Sequence, residues 1–206
     1  MTRTLTRVAL VAMALPIVVL AADVKFTSTW AAPEARGTSF HGRKVATVVM
    51  SADESLRVSG EEGLVTELQG RGINAVASYR MIPREELEDP AKARGWFERG
   101  KVDGVVVMRP VSIGKQVTYV PPTWTSGYYN SLWGYYGYGW GAMYDPGSVR
   151  DDMVVIIETL IYSVPKNALL WAGSSEARNP KDSRQLLADL VKEAAKEMKK
   201  QGLSVK

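Results

Sequence analysis

KVATVVM, at 44–50, is a short β-branched run of the kind that forms a strand buried on both faces. Directly behind it, Ser51 and Glu54 have capping-box spacing, which places a helix start there. Leu56, Leu64, Val65 and Leu68 fall on one side of that helix. Gly60 and Gly63 weaken it, and Gly70 or Gly72 ends it. Ile73 to Tyr79 then reads as a second strand. Strand, helix and strand in such short order predict a right-handed parallel crossover.

Outward from this unit the pattern stays mixed. Upstream, Val24, Phe26 and Trp30 alternate with polar or small residues, which is a half-buried strand. Downstream, Asp89-Pro90 supplies an N-cap and a proline at the first helical position, opening a helix that turns Ala93, Trp96 and Phe97 inward. Val105 to Met108 is another buried strand, and Pro110 marks a bulge, an edge or the exit from the sheet. Arg150 to Val164 reads as a long strand, joined through Pro165-Lys166-Asn167 to a hairpin partner at Leu169 to Ser175. A final helix from about Ser183 to Gln201 carries Leu186, Leu187, Leu190, Val191, Ala194 and Met198 on one stripe, and Gly202 stops it. Lys192, Lys196, Lys199 and Lys200 lie mostly on its other, solvated face. The expected fold is α/β (α+β): a single mixed β-sheet with a βαβ crossover, flanking helices and a C-terminal amphipathic helix.

The first 22 residues carry a different message. Arg3 and Arg7 precede an apolar run from Val8 to Leu20, which breaks into Ala21 and Ala22 before Asp23. A basic start, a short apolar stretch and a small-residue exit are the pattern of a secretory signal peptide. The run is about 13 residues, against roughly 20 needed to span a bilayer, and Pro16 weakens a spanning helix; a retained anchor is the alternative. Cleavage is expected after Ala21 or Ala22, leaving 23–206 as one domain. Losing Arg3 and Arg7 takes the formal charge from +4 to about +2, so the pI of 9.2 is a poor argument for nucleic acid. The chain has no cysteine, which excludes disulfides, thiolate catalysis and Cys-ligated zinc. Leu20-Ala21-Ala22 would precede the lipid-bearing cysteine of a bacterial lipoprotein, but Asp23 follows, so the expectation is an exported, periplasmic or outer-membrane-associated protein without a lipid anchor.

An insert at about 112–149 has chemistry the fold does not obviously need. It holds Trp124, Tyr128, Tyr129, Trp133, Tyr135, Tyr136, Tyr138, Trp140 and Tyr144, interleaved with Gly127, Gly134, Gly137, Gly139 and Gly141 and almost without charge. Ordering a loop of this length costs more backbone entropy than its aromatic burial alone returns, which implies help from elsewhere. Three readings stand open: aromatics folded back over the sheet, a docking surface for a partner chain or glycan, and a membrane-interface contact.

Catalytic constellations are absent from the pattern, so no catalytic residue, cofactor or metal is assigned. His41 is the single histidine and has no nucleophile motif beside it. Asp151 and Asp152 are strand neighbours that face opposite ways, and GYGWG at 137–141 lacks the Lys-Ser/Thr of a phosphate loop. Arg109 and Glu158 are each a charge inside an apolar strand, and they are expected to form a structural ion pair across the sheet. A small-ligand or hydrolytic cleft around the same two residues is the rival reading.

KVATVVM-S-x-DE, GINAVASY-x-x-IP, DGVVVMRPV, YGYGW-x-x-x-YDPG and ALLWAGSSEARNP together resemble a family of bacterial envelope lipoproteins classed as a domain of unknown function. The order of elements is similar to the periplasmic domain of curli-secretion channel proteins and to the TolB amino-terminal domain. The resemblance implies a non-enzymatic envelope protein acting by binding or assembly, with a protein partner, self-association or the membrane interface reached through the insert. It brings no catalytic residues with it.

Overall fold

The structure, a computed structural model, describes residues 23–114, 123–125, 127–140, 153–180 and 182–203. The leader with Ala21 and Ala22, Tyr144, Asp151 and Asp152 lie outside the described residues.

Among the described residues, ten strands and α-helices follow one another: β1 (Asp23–Ala31), β2 (Lys44–Val49), α1 (Glu54–Gln69), β3 (Asn74–Ala77), α2 (Pro90–Arg99), β4 (Gly104–Gly114), α3 (Leu132–Tyr138), β5 (Val154–Ser163), β6 (Ala168–Arg178) and α4 (Ser183–Lys200). The six strands form one mixed sheet in the order β1-β6-β5-β4-β2-β3. β2 pairs in parallel with both β3 and β4, while β4, β5, β6 and β1 run antiparallel in succession. The fold is therefore α+β, with the parallel β2-α1-β3 unit at one end of the sheet.

Alternation along the strands sends side chains into two separate layers. Val45, Val49, Val106 and Met108 face α1 and α4, meeting Leu64, Val65 and Leu68 on one helix and Leu190, Val191 and Ala194 on the other. Ala46, Val48, Val105, Val107, Leu160 and Tyr162 face the opposite way, onto α2 and the aromatic segment. Both faces of the sheet are covered.

Local chemistry accounts for most element ends. Asp53, and not Ser51, caps α1: its carboxylate accepts from the Leu56 N–H at 3.0 Å, and Ser51 Oγ instead accepts from the Asp53 N–H. An aspartate satisfies the orphan N–H and adds a negative charge at the positive helix end, so it displaces the serine as cap. Gly60 and Gly63 lie inside α1 where its neighbours pack closely, so a side chain there would make them shift. A Cβ on Gly63 would stand 2.8 Å from Leu187 Cδ1 of α4, and one on Gly60 would stand 3.0 Å from Val49 Cγ2. β3 is shorter than the 73–79 run, since Ser78–Arg80 leaves the strand in a tight 3-10 turn. Of the three readings of Pro110, the bulge is what forms: the register against β5 shifts between Pro110 and Ser112, and the strand continues to Gly114. Gly202, at φ 82°, closes α4 while the Leu203 N–H reaches back to the Met198 carbonyl. No helix among the described residues is long and apolar enough to cross a membrane.

Candidate functional site

Arg109 of β4 and Glu158 of β5 are direct cross-strand partners, with Arg109 Nη1 3.5 Å from Glu158 Oε2. Glu158 is only 1% exposed. A carboxylate this deep requires hydrogen-bond donors, and the aromatic segment supplies them. Tyr129 OH donates to Glu158 Oε1 at 2.7 Å, and Tyr135 OH donates to Oε2 at 2.7 Å. Both distances are those of charge-assisted bonds. The predicted ion pair and the predicted aromatic segment are thus a single site.

The segment folds as a one-turn 3-10 helix at Gly127–Asn130 followed by α3. Ser131 caps α3 by accepting from the Gly134 N–H at 3.0 Å. Gly139 lies against Met50, at the end of β2, where any Cβ would overlap the sulfur. A larger residue at this position would force the Met50 side chain to move. Tyr162 OH, from β5, donates to the Tyr129 carbonyl at 3.1 Å, a third tie between strand and cap.

The nine candidate aromatics divide by depth. Trp124, Tyr129, Tyr135 and Tyr136 are buried among Phe97, Leu132, Leu160 and Tyr162. Tyr128, Trp133 and Trp140 are half-buried, and Tyr138 is 44% exposed. Tyr144 lies outside the described residues. The described part of the segment therefore does fold back over the sheet, and Glu158 is the anchor that composition alone could not supply. Its outer side is not inert: Tyr128 and Tyr138 stack with ring centroids 3.7 Å apart, and the Arg109 guanidinium sits 4.9 Å from the Tyr138 ring centre. A cation on a tyrosine face is favourable and keeps the ring in place.

Electrostatics follow from this burial. Desolvation, then the Glu158 charge and its hydrogen bond, push the Tyr129 and Tyr135 hydroxyls well above the ordinary tyrosine range. Desolvation and Glu158 do the same to Tyr162. Burial opposes the Arg109 charge, but Tyr135, Glu158 and Tyr138 more than offset it, so its pKa is raised. All three tyrosines stay neutral donors at any physiological pH.

The chain is similar in trace to two solved proteins, each at a TM-score under 0.5. A single-residue variant of PelC, a dodecamer from Paraburkholderia phytofirmans, aligns with a TM-score of 0.45 and 11% identity over 82% of this chain and 91% of that one. PelC in a second crystal form gives 0.42, 12% identity, and 82% and 90% coverage. Lipoprotein GNA1162 from Neisseria meningitidis gives 0.41, 13% identity, and 77% and 99% coverage. No family model matches the chain, and no curated protein matches it.

Two charged residues escaped the sequence reading. Arg57 and Glu61, on the first turns of α1, are buried. Glu61 accepts from the Val49 N–H at 3.2 Å, the Tyr79 N–H at 3.0 Å and Ser78 Oγ at 2.8 Å, closing the ends of β2 and β3. Desolvation raises its pKa despite those bonds and the nearby Arg57. Both residues also act on the aromatic layer: burial and then Glu61 raise the Tyr136 pKa, while Arg57 opposes them. A signal was present, because Arg57, Glu61, Leu64 and Leu68 continue one helical stripe at spacings of four, three and four. His41 is exposed, and its backbone bridges Ile73.

Proposed function

We propose that the chain is a non-enzymatic module of an exported envelope protein, and that it holds a partner protein through the outer side of its aromatic layer. The observation that carries this is the Tyr128–Tyr138 stack, with Tyr138 open to solvent and the Arg109 guanidinium beside it. Tyrosine and arginine are the residues that dominate binding energy at protein interfaces. Here they sit on a support locked by Glu158, so little side-chain entropy remains to be lost on docking. The leader pattern and the resemblance to envelope lipoproteins supply the compartment.

A cleft enzyme built on Arg109 and Glu158 fits the geometry less well. Both Glu158 oxygens accept from tyrosines, and a substrate would have to displace Tyr129 and Tyr135 to reach them. The test compares wild-type protein with a Tyr128→Ser/Tyr138→Ser variant in affinity capture from envelope extract, after thermal melting has shown both to be folded. Loss of a captured protein in the variant is expected. An identical captured set would overturn the reading, as would a variant deficient only in binding vesicles or glycans.

A further inference from the structure

A second, chemically different recess lies at the start of the parallel strands, away from the aromatic layer. It is built from the segment after β1, Arg43 and Asp103 just ahead of β2 and β4, and the β5–β6 turn with Ser163 and Leu170 beside it, and has a volume of about 480 Å³. Arg36, Arg43 and Lys166 line it. All three are exposed, and none forms an ion pair among the described residues.

One carboxylate, Asp103, also lines the recess, and its Oδ2 accepts from the Lys44 N–H at 3.2 Å. Three cations against one acid leave an excess of two positive charges. Hydroxyls of Thr38 and Ser163 add donors, and the buried Phe40 and Leu170 close the floor. Like charges gathered round one recess repel each other unless a counter-charge joins them. Two arginines present planar forks that match phosphate oxygens in pairs. A phosphate monoester carries about −1.5 to −2 charges at neutral pH, which fits the excess. The recess is larger than a lone phosphate and falls within the range of small-ligand sites.

We infer that this recess binds the terminal phosphate of a phosphate monoester, held by Arg36, Arg43 and Lys166. The ester is either a free small molecule or a lipid headgroup, and both present the same chemistry to Arg36 and Arg43.

The test uses the full mature chain with glycerol 3-phosphate as soluble probe, and phosphatidylcholine vesicles doped with phosphatidic acid as lipid probe. Saturable binding to at least one probe is expected, weakened about tenfold or more by Arg36→Ser/Arg43→Ser. Because both arginines are exposed, the double variant should melt with the wild type. Lys192→Ser/Lys199→Ser, on the solvated face of α4, removes the same charge elsewhere and should bind as the wild type does. Binding of the soluble probe marks a free ester, and binding of vesicles alone marks a headgroup; either supports the site. Failure of both probes overturns it. So does an equal loss in the α4 variant, which would mark diffuse attraction by net charge.

Discussion

Among the described residues two carboxylates are buried, Glu158 and Glu61, and they are held in opposite ways. Glu158 sits in mid-strand and takes its donors from side chains 29 and 23 residues away, the hydroxyls of Tyr129 and Tyr135. Glu61 sits in a helix and takes two of its three donors from the backbone, at Val49 and Tyr79. The first fastens a glycine- and tyrosine-rich segment to the sheet. The second finishes strand ends that would otherwise leave N–H groups unpaired inside the protein. A carboxylate bonded to side chains makes a removable layer permanent; one bonded to backbone belongs to the scaffold itself.

The largest effect should come from Glu158→Ala. It strands two tyrosine hydroxyls and leaves Arg109 partly buried beside no counter-charge, a loss of about 3–5 kcal/mol. Urea unfolding measures it, and tyrosine fluorescence should report loosening of the aromatic layer before the sheet melts. A loss below about 1 kcal/mol would show that the layer is held by ring packing alone.

Glu61→Ala should follow at about 2–4 kcal/mol, the cost of leaving one buried N–H, one partly buried N–H and one hydroxyl without their acceptor. Its signature differs from that of Glu158→Ala. Hydrogen exchange should quicken at Val49 and Tyr79 and leave the aromatic layer protected. If the layer loosens first in both variants, the distinction between fastener and scaffold fails.

Tyr135→Phe tests one half of the Glu158 clasp. The ring still fills its place beside Tyr129 and Tyr162, so only a hydrogen bond to a charged group is lost, about 1.5–3 kcal/mol. Combined with Glu158→Ala, the tyrosine change should add almost nothing, because its partner is already gone. Full additivity in that double-mutant cycle would break the assigned contact.

This contrast also explains what was legible in the sequence. Arg109 and Glu158 stood out because a charge within DGVVVMRPV or VVIIETLI interrupts an apolar run. Their pairing followed once the strands were neighbours. The aromatic segment stood out by composition. Its attachment to Glu158 had no local signature, since nothing in the spacing of Tyr129 or Tyr135 names an acceptor in a strand not yet built. Glu61 was hidden for another reason. It shares α1 with Glu54, Glu62 and Glu67, and only tertiary packing separates a buried acid from three at least partly exposed ones. The helix start was misplaced by two residues because Ser51 and Asp53 both offer side-chain oxygens, and the choice rests on the charge of the second.

The smallest expected effect is one of slope. Burial holds the Glu61 pKa above its ordinary value, whereas in the unfolded chain it titrates near 4.3. Between those two values the native state binds more proton than the unfolded state does. Stability contributed by this group is therefore full below the unfolded pKa and falls as pH rises through the folded one. Glu61→Gln keeps an acceptor oxygen and cannot ionise, so its stability should lack this decline. Urea midpoints measured from pH 4 upward should bring the two proteins closest together at high pH if the glutamine is the less stable at acid pH. Curves that stay parallel throughout would mean that Glu61 is ionised in both states. Its bonds to Val49, Tyr79 and Ser78 would then outweigh its desolvation, and it would be held as firmly charged as a cap exposed to water.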